Sequence, residues 1–172
     1  MDSRYPIGKF HLEGPISEAQ IRRWIDEISQ LPEQLNLLVK GLSESEFLYT
    51  YREGGWNIKQ LLHHLADSHL NSYIRFKLAL TEENPIIKPY EESEWAKLAD
   101  YEMPPRSAMD LLAAIHRKWV VLLCSLRAEQ LERTFRHPES GEVSLKENIG
   151  IYAWHGKHHL AHIRSALEND NQ

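Results

Sequence analysis

The sequence predicts an all-α domain, a four-helix bundle with a long crossover between its second and third helices. Two observations carry this reading. Four segments set apolar residues three and four apart, each behind a residue able to cap a helix. No segment alternates apolar and polar residues between hairpin turns as a half-buried strand would. Four amphipathic helices of this length bury one another most simply as a bundle. The 172 residues suffice for one core and contain no linker, so residues 1–172 are read as a single domain.

The first helix begins at Ser17, at capping-box spacing from Gln20, and sets Ile21, Trp24, Ile25, Ile28 and Leu31 on one face. Pro32 is expected to kink or split it before Leu35, Leu38, Val39 and Leu42 resume the stripe. The second helix opens at Asn57 and runs to about Leu80, with Leu61, Leu62, Leu65 and Phe76 among its core positions. The third opens at Ser107 and carries Leu112, Ile115, Trp119 and Leu122. The fourth opens at Ser144, with Glu147 three residues on, and runs to about Leu167. Between Leu80 and Ser107 a stretch holding Pro85, Pro89, Pro104 and Pro105 encloses one short helical segment, EWAKL. A connection that long in a compact domain is usually functional or spans distant helix ends.

A hydrophobic fraction of 42% with 26% charged residues excludes global disorder, and a net charge of -5 gives no electrostatic reason to expect nucleic acid. The amino-terminal MDSRYPIGKF has no basic region followed by an apolar stretch, and the apolar run from Trp119 to Cys124 is far too short to span a membrane. A single cysteine, Cys124, forms no intrachain disulfide and suits a reducing cytoplasm, and its apolar neighbours predict a core position. The expectation is a soluble cytoplasmic protein.

Histidine is the anomaly: ten of them against eight glycines. Seven fall in two clusters, His63, His64 and His69 on the second helix and His155, His158, His159 and His162 on the fourth. Residues four apart share one helix face, so the fourth helix offers two pairs, His155 with His159 and His158 with His162. The apolar face defined by Ile149, Tyr152, Leu160 and Ile163 places the first pair on its margin and rotates the second towards solvent. On the second helix, periodicity points His69 most squarely at the core, puts His64 on its flank, and leaves the two tied as a third ligand. Two imidazoles at this spacing can share one cation with a third from a facing helix.

The blocks YREGGW (51–56), HHLADSHLNSYIRFKLALTEE (63–83) and WHGKHHLAHI (154–163) resemble the YfiT-like branch of the DinB superfamily, over nearly the whole chain. In that pattern a Trp precedes the first metal histidine by eight residues, which joins Trp56 to His64, and the remaining ligands fall on His155 and His159. Many relatives carry Gln where this chain has His162. The resemblance implies a metal-dependent hydrolase on a small-molecule substrate, and relatives that use low-molecular-weight thiols imply thiol transfer as the alternative. It also implies a homodimer, for which Trp95 in the crossover is an exposed aromatic anchor, or else a plug on its own bundle.

Three imidazoles leave a divalent metal coordinatively open, the catalytic pattern rather than the closed structural one. Water there reaches a pKa of about 7 on zinc, and a thiol would be held as thiolate. Zinc suits three imidazoles and nickel accepts them too, one ion per chain; a low-molecular-weight thiol is the candidate co-substrate. A non-catalytic metal-binding bundle is the reading from a different class. Asp67, three residues after His64, suits orienting a ligand imidazole or a bound water. His63, His158 and His162 are read as outside the chemistry, and Arg75 and Lys77 either receive an anionic substrate or form an exposed charged face.

Overall fold

The computed structural model describes residues 2–169. The four expected helices are α1 (Glu18–Val39), α2 (Ile58–Thr81), α4 (Pro105–Cys124) and α6 (Leu145–Asn169), with single-turn helices α3 (Glu92–Trp95) and α5 (Ala128–Leu131) in the connections. Their starts follow from local chemistry. Ser17 Oγ accepts the Gln20 N–H at 3.2 Å. Asn57 and Gln60 form a full capping box, with Asn57 Oδ1 accepting the Gln60 N–H at 2.8 Å and Gln60 Oε1 accepting the Asn57 N–H at 3.1 Å. Ser144 Oγ accepts the Glu147 N–H at 3.3 Å. The third long helix begins two residues before Ser107, because Pro105 is pre-shaped for a first turn whose N–H groups have no partner anyway.

Pro32 does not split α1, which is continuous through it. The ring does remove one backbone donor, so the Ile28 carbonyl, four residues earlier, loses the N–H that would normally face it. That vacancy in the helix ladder is used elsewhere in the fold.

The long helices touch in the ring order α1–α4–α2–α6, closing back on α1. Chain neighbours α1 and α2 therefore lie on one diagonal, and α4 and α6 on the other. The core divides into two apolar clusters, one around Ile28, Phe76, Trp119 and Ile149, the other around Leu35, Leu62, Leu112 and Ile163. Histidines occupy the level between them. His69 lies between Ala66 and Phe76 on α2, His116 between Leu112 and Trp119 on α4, and His155 and His159 between Ala153 and Leu160 on α6.

The structure corrects two further expectations about the fold. Residues 134–144 form a hairpin, β1 (Thr134–His137) pairing antiparallel with β2 (Gly141–Ser144), with Gly141 at φ +84° opening β2 straight after the turn. Four-residue strands burying only Phe135 and Val143 are too short to show alternation. Cys124 is exposed, because it closes α4 on the outward side of Leu123. Hydrogen bonds from Ile87 N–H to the Arg136 carbonyl (3.0 Å) and from Arg136 N–H to the Pro85 carbonyl (2.8 Å) join the crossover to the hairpin. Among the described residues no helix is long and apolar enough to cross a membrane.

Packing of α1 on α6 depends on two glycines. A Cβ at Gly150 would meet the Trp24 ring at 2.8 Å, and one at Gly156 would meet the Leu31 side chain at 2.8 Å. The indole cannot bend aside as a leucine tip can. Gly150→Val is expected to destabilise by about 1–3 kcal/mol through overpacking, read as a lower urea midpoint at unchanged m.

Candidate metal centre

Three Nε2 atoms converge between α2 and α6. Those of His64 and His159 each lie 3.2 Å from Nε2 of His155, and the His64 and His159 rings are 4.8 Å apart at their centroids. A tetrahedral ion about 2.0–2.1 Å from each imidazole nitrogen would hold such atoms about 3.3 Å apart. The geometry fits a divalent transition metal. Neither a carboxylate nor a thiol joins this group among the described residues. Burial pushes His64 down to about 4 and His155 and His159 well below their ordinary value, with neighbouring imidazoles adding to the effect. All three are therefore neutral near pH 7, the form in which imidazole ligates. His64 and His159 are buried. His155 keeps some accessible surface.

A second group, His158, His159 and His162, also has clustered nitrogens. It shares His159 with the first, and it meets that residue through Nδ1, 3.3 Å from His162 Nδ1. Were His159 to ligate an ion through Nε2, it would carry its proton on Nδ1, and this contact would then be a hydrogen bond donated to His162 rather than part of a second ion site. The helical-wheel expectation that His158 and His162 turn to solvent is wrong: both are buried. Aromatic residues outside the apolar stripes cover them. Tyr51 stacks on His162 at 3.9 Å, Trp154 stacks on His158 at 4.5 Å, and Tyr5 lies 5.9 Å from His158.

His69 points into the core as its periodicity indicated, but behind the triad. Its Nε2 lies 3.1 Å from His155 Nδ1, and its Nδ1 lies 2.8 Å from His116 Nε2. His116 was not legible as part of the site, since a lone histidine on α4 belongs to neither cluster. Its Nδ1 is 2.7 Å from the Ile28 carbonyl, the one that Pro32 leaves without a helical donor.

Asp67 stands apart from the triad. Its Oδ2 accepts the Tyr101 hydroxyl at 2.8 Å, and burial raises its pKa. His63 stacks on the same tyrosine at 5.2 Å and lies 3.1 Å from the Met103 carbonyl, so both residues pin the crossover to α2.

A cleft of about 500 Å³ is lined by Trp56, Ser68, Arg75, Tyr90, His137 and Tyr152, among others, and Trp56 and Tyr152 separate it from the triad. Trp56 packs over His64 at 4.8 Å, and the Tyr152 ring lies 5.5 Å from that of His155. Ser68 and Tyr152 stand one turn along from His64 and His155, their hydroxyls 3.4 Å apart. Arg75 is half-buried with no ion pair among the described residues, and the Tyr90 hydroxyl is buried. Lys77 instead lies over the Tyr73 ring, exposed.

Fold and triad define a helical bundle with an all-histidine site suited to a divalent metal. The chain belongs to the DinB superfamily, whose profile matches residues 19–163. It is 53% identical to a protein of Halalkalibacterium halodurans named "Putative metal-dependent hydrolase BH0277", over 97% of this chain and 98% of that one. A relative from Oceanobacillus iheyensis, "Putative metal-dependent hydrolase OB0782", is 54% identical over 96% of each. Among solved structures the chain superposes on YfiT from Bacillus subtilis with a TM-score of 0.95 at 40% identity, covering 99% of both chains; that protein is described as "a probable metal-dependent hydrolase with an unusual four-helix bundle topology". The four-helix bundle protein TT2238 shares the fold alone, with a TM-score of 0.56 at 17% identity over 81% of this chain and 94% of that one.

The buried imidazoles dictate a pH dependence. His64 and His116 have pKa values near 4 in the folded protein, below the ordinary 6.5, so between those values the unfolded chain binds protons that the native state refuses. Stability from this source is complete above 6.5 and is lost as the pH falls towards 4. Urea unfolding of the metal-free protein is expected to show a lower midpoint at pH 5 than at pH 7.

Proposed function

We propose that this protein is a metal-dependent hydrolase that binds one zinc or nickel ion per chain through His64, His155 and His159 and acts on a small molecule in the adjoining cleft. The observation that supports this most directly is the convergence of three neutral Nε2 atoms with no further protein ligand in their group. A divalent metal there supplies Lewis acidity, acidifying water and polarising a carbonyl. The chain's own residues do the rest. Trp56 shields His64 on one side, Ser68 and Tyr152 offer hydroxyls to a bound substrate, and Arg75 is free to meet an anionic group. Asp67 acts through Tyr101, holding the crossover whose residues 89–93 form part of the cleft wall.

Association into a two-fold dimer and residence in a reducing cytoplasm belong to the same reading; the lone free thiol of Cys124 is compatible with the latter. Trp95 packs at 4.3 Å on Tyr90 of its own chain and remains half-buried, which supports the plug more than the anchor. Light scattering at rising concentration is expected to exceed the 20.1 kDa monomer mass; a constant monomer mass rejects the dimer.

Metal analysis tests the ligand set. One ion per chain is expected in the native protein, with a sharp loss of occupancy in His155→Ala and His159→Ala and none in His158→Ala. Equal loss in all three would reject the chosen face. Screening ester and amide hydrolysis with no thiol present tests the reaction; turnover that appears only when a low-molecular-weight thiol is added would move the chemistry to thiol transfer.

A further inference from the structure

The unusual feature behind the triad is a file of buried hydrogen bonds that visits all four long helices. It runs from the Ile28 carbonyl on α1 to His116 on α4 (2.7 Å), to His69 on α2 (2.8 Å), and to His155 on α6 (3.1 Å). We infer that the Ile28 carbonyl, acting through His116 and His69, fixes the tautomer of His155 so that its Nε2 faces His64 and His159 as a bare lone pair. His69 and His116 are thereby positioning residues for a metal ligand they stand behind.

The direction follows from what each atom can do. A carbonyl oxygen only accepts, so His116 Nδ1 carries a proton and donates it. A neutral imidazole has one N–H, which leaves His116 Nε2 as an acceptor for the Nδ1–H of His69. His69 Nε2 is then an acceptor in turn, and the His155 proton must sit on Nδ1. Reversing the file would set the lone pair of His116 Nδ1 against that of the carbonyl at 2.7 Å. Only a doubly protonated His116 would escape this, and burial holds its pKa near 4. Pro32 matters because any other residue at that position would bring an N–H to the same carbonyl, which here receives the His116 imidazole instead. His69 and His116 are buried to 0% and 2% exposure, so water cannot rewrite the pattern at its inner links.

The tautomer assignment concerns the protein without metal; its use in ligation rests on the proposed metal site, and the test separates the two. Long-range proton–nitrogen correlation spectra of the metal-free wild type at neutral pH should show His116, His69 and His155 each protonated at Nδ1 and bare at Nε2. A His155 that carries its proton on Nε2 overturns the inference, and this measurement needs no variant to fold. Zinc titration then compares His69→Leu with His69→Gln, whose side-chain oxygen can still accept the His155 Nδ1–H. Zinc affinity should fall about 10–100-fold in His69→Leu and remain within a few-fold of wild type in His69→Gln. Equal affinity in wild type and His69→Leu overturns the positioning role. A wild type that binds no zinc while His155 keeps its Nδ1 proton supports the tautomer assignment and rejects the metal site instead.

Discussion

The bond between His116 and the Ile28 carbonyl is the point from which the interior of this bundle is organised. Buried polar groups must find partners inside the protein, and a histidine layer between two apolar clusters would otherwise be costly. The file of imidazoles meets that demand, joining α1, α4, α2 and α6 in the same ring order in which they pack. It works only because the bonds terminate on a group that cannot donate. Pro32, an unfavourable residue in a helix interior by propensity, makes that terminus available.

Below this level the site is electrically quiet. No carboxylate stands among the triad, and each of its imidazoles is held neutral by burial. His155 and His159 are each backed by another histidine, His69 and His162 respectively, rather than by the carboxylates common behind metal-binding histidines. A dication placed there would keep its full charge for the substrate, with no anionic ligand to offset it.

Much of this was legible in the sequence, for reasons that differ by element. Ser17, Asn57 and Ser144 cap helices through local hydrogen bonds, so their positions announce the helix starts directly. Helical spacing put His155 and His159 on one face, and the family pattern chose His64 over His69. What spacing could not supply was depth created by other segments. His158 and His162 sit at angles that face outward from α6, and side chains such as Tyr5, Tyr51 and Trp154 cover them. His116 gave no signal because its partners, the Ile28 carbonyl and His69, lie on two other helices. Pro32 was visible as a break in the helix pattern, but its effect is a freed carbonyl and not a break. The hairpin escaped notice because four-residue strands have no period to read.

The cleft is walled by two kinds of structure. Ser68, Arg75 and Tyr152 come from the bundle helices, while residues 89–93 and His137 and Glu139 come from the crossover and the hairpin, which are hydrogen-bonded to each other through Arg136. The histidine file and the triad lie wholly on the long helices. Loops tolerate substitution and insertion far better than packed helices do. On the proposed function, the half of the cavity that would select a molecule can therefore diverge while the half that would transform it stays fixed. Within a lineage, such a scaffold is free to exchange one substrate for another by editing two short segments, and the same bundle can serve many metabolic errands with its inner wiring unchanged.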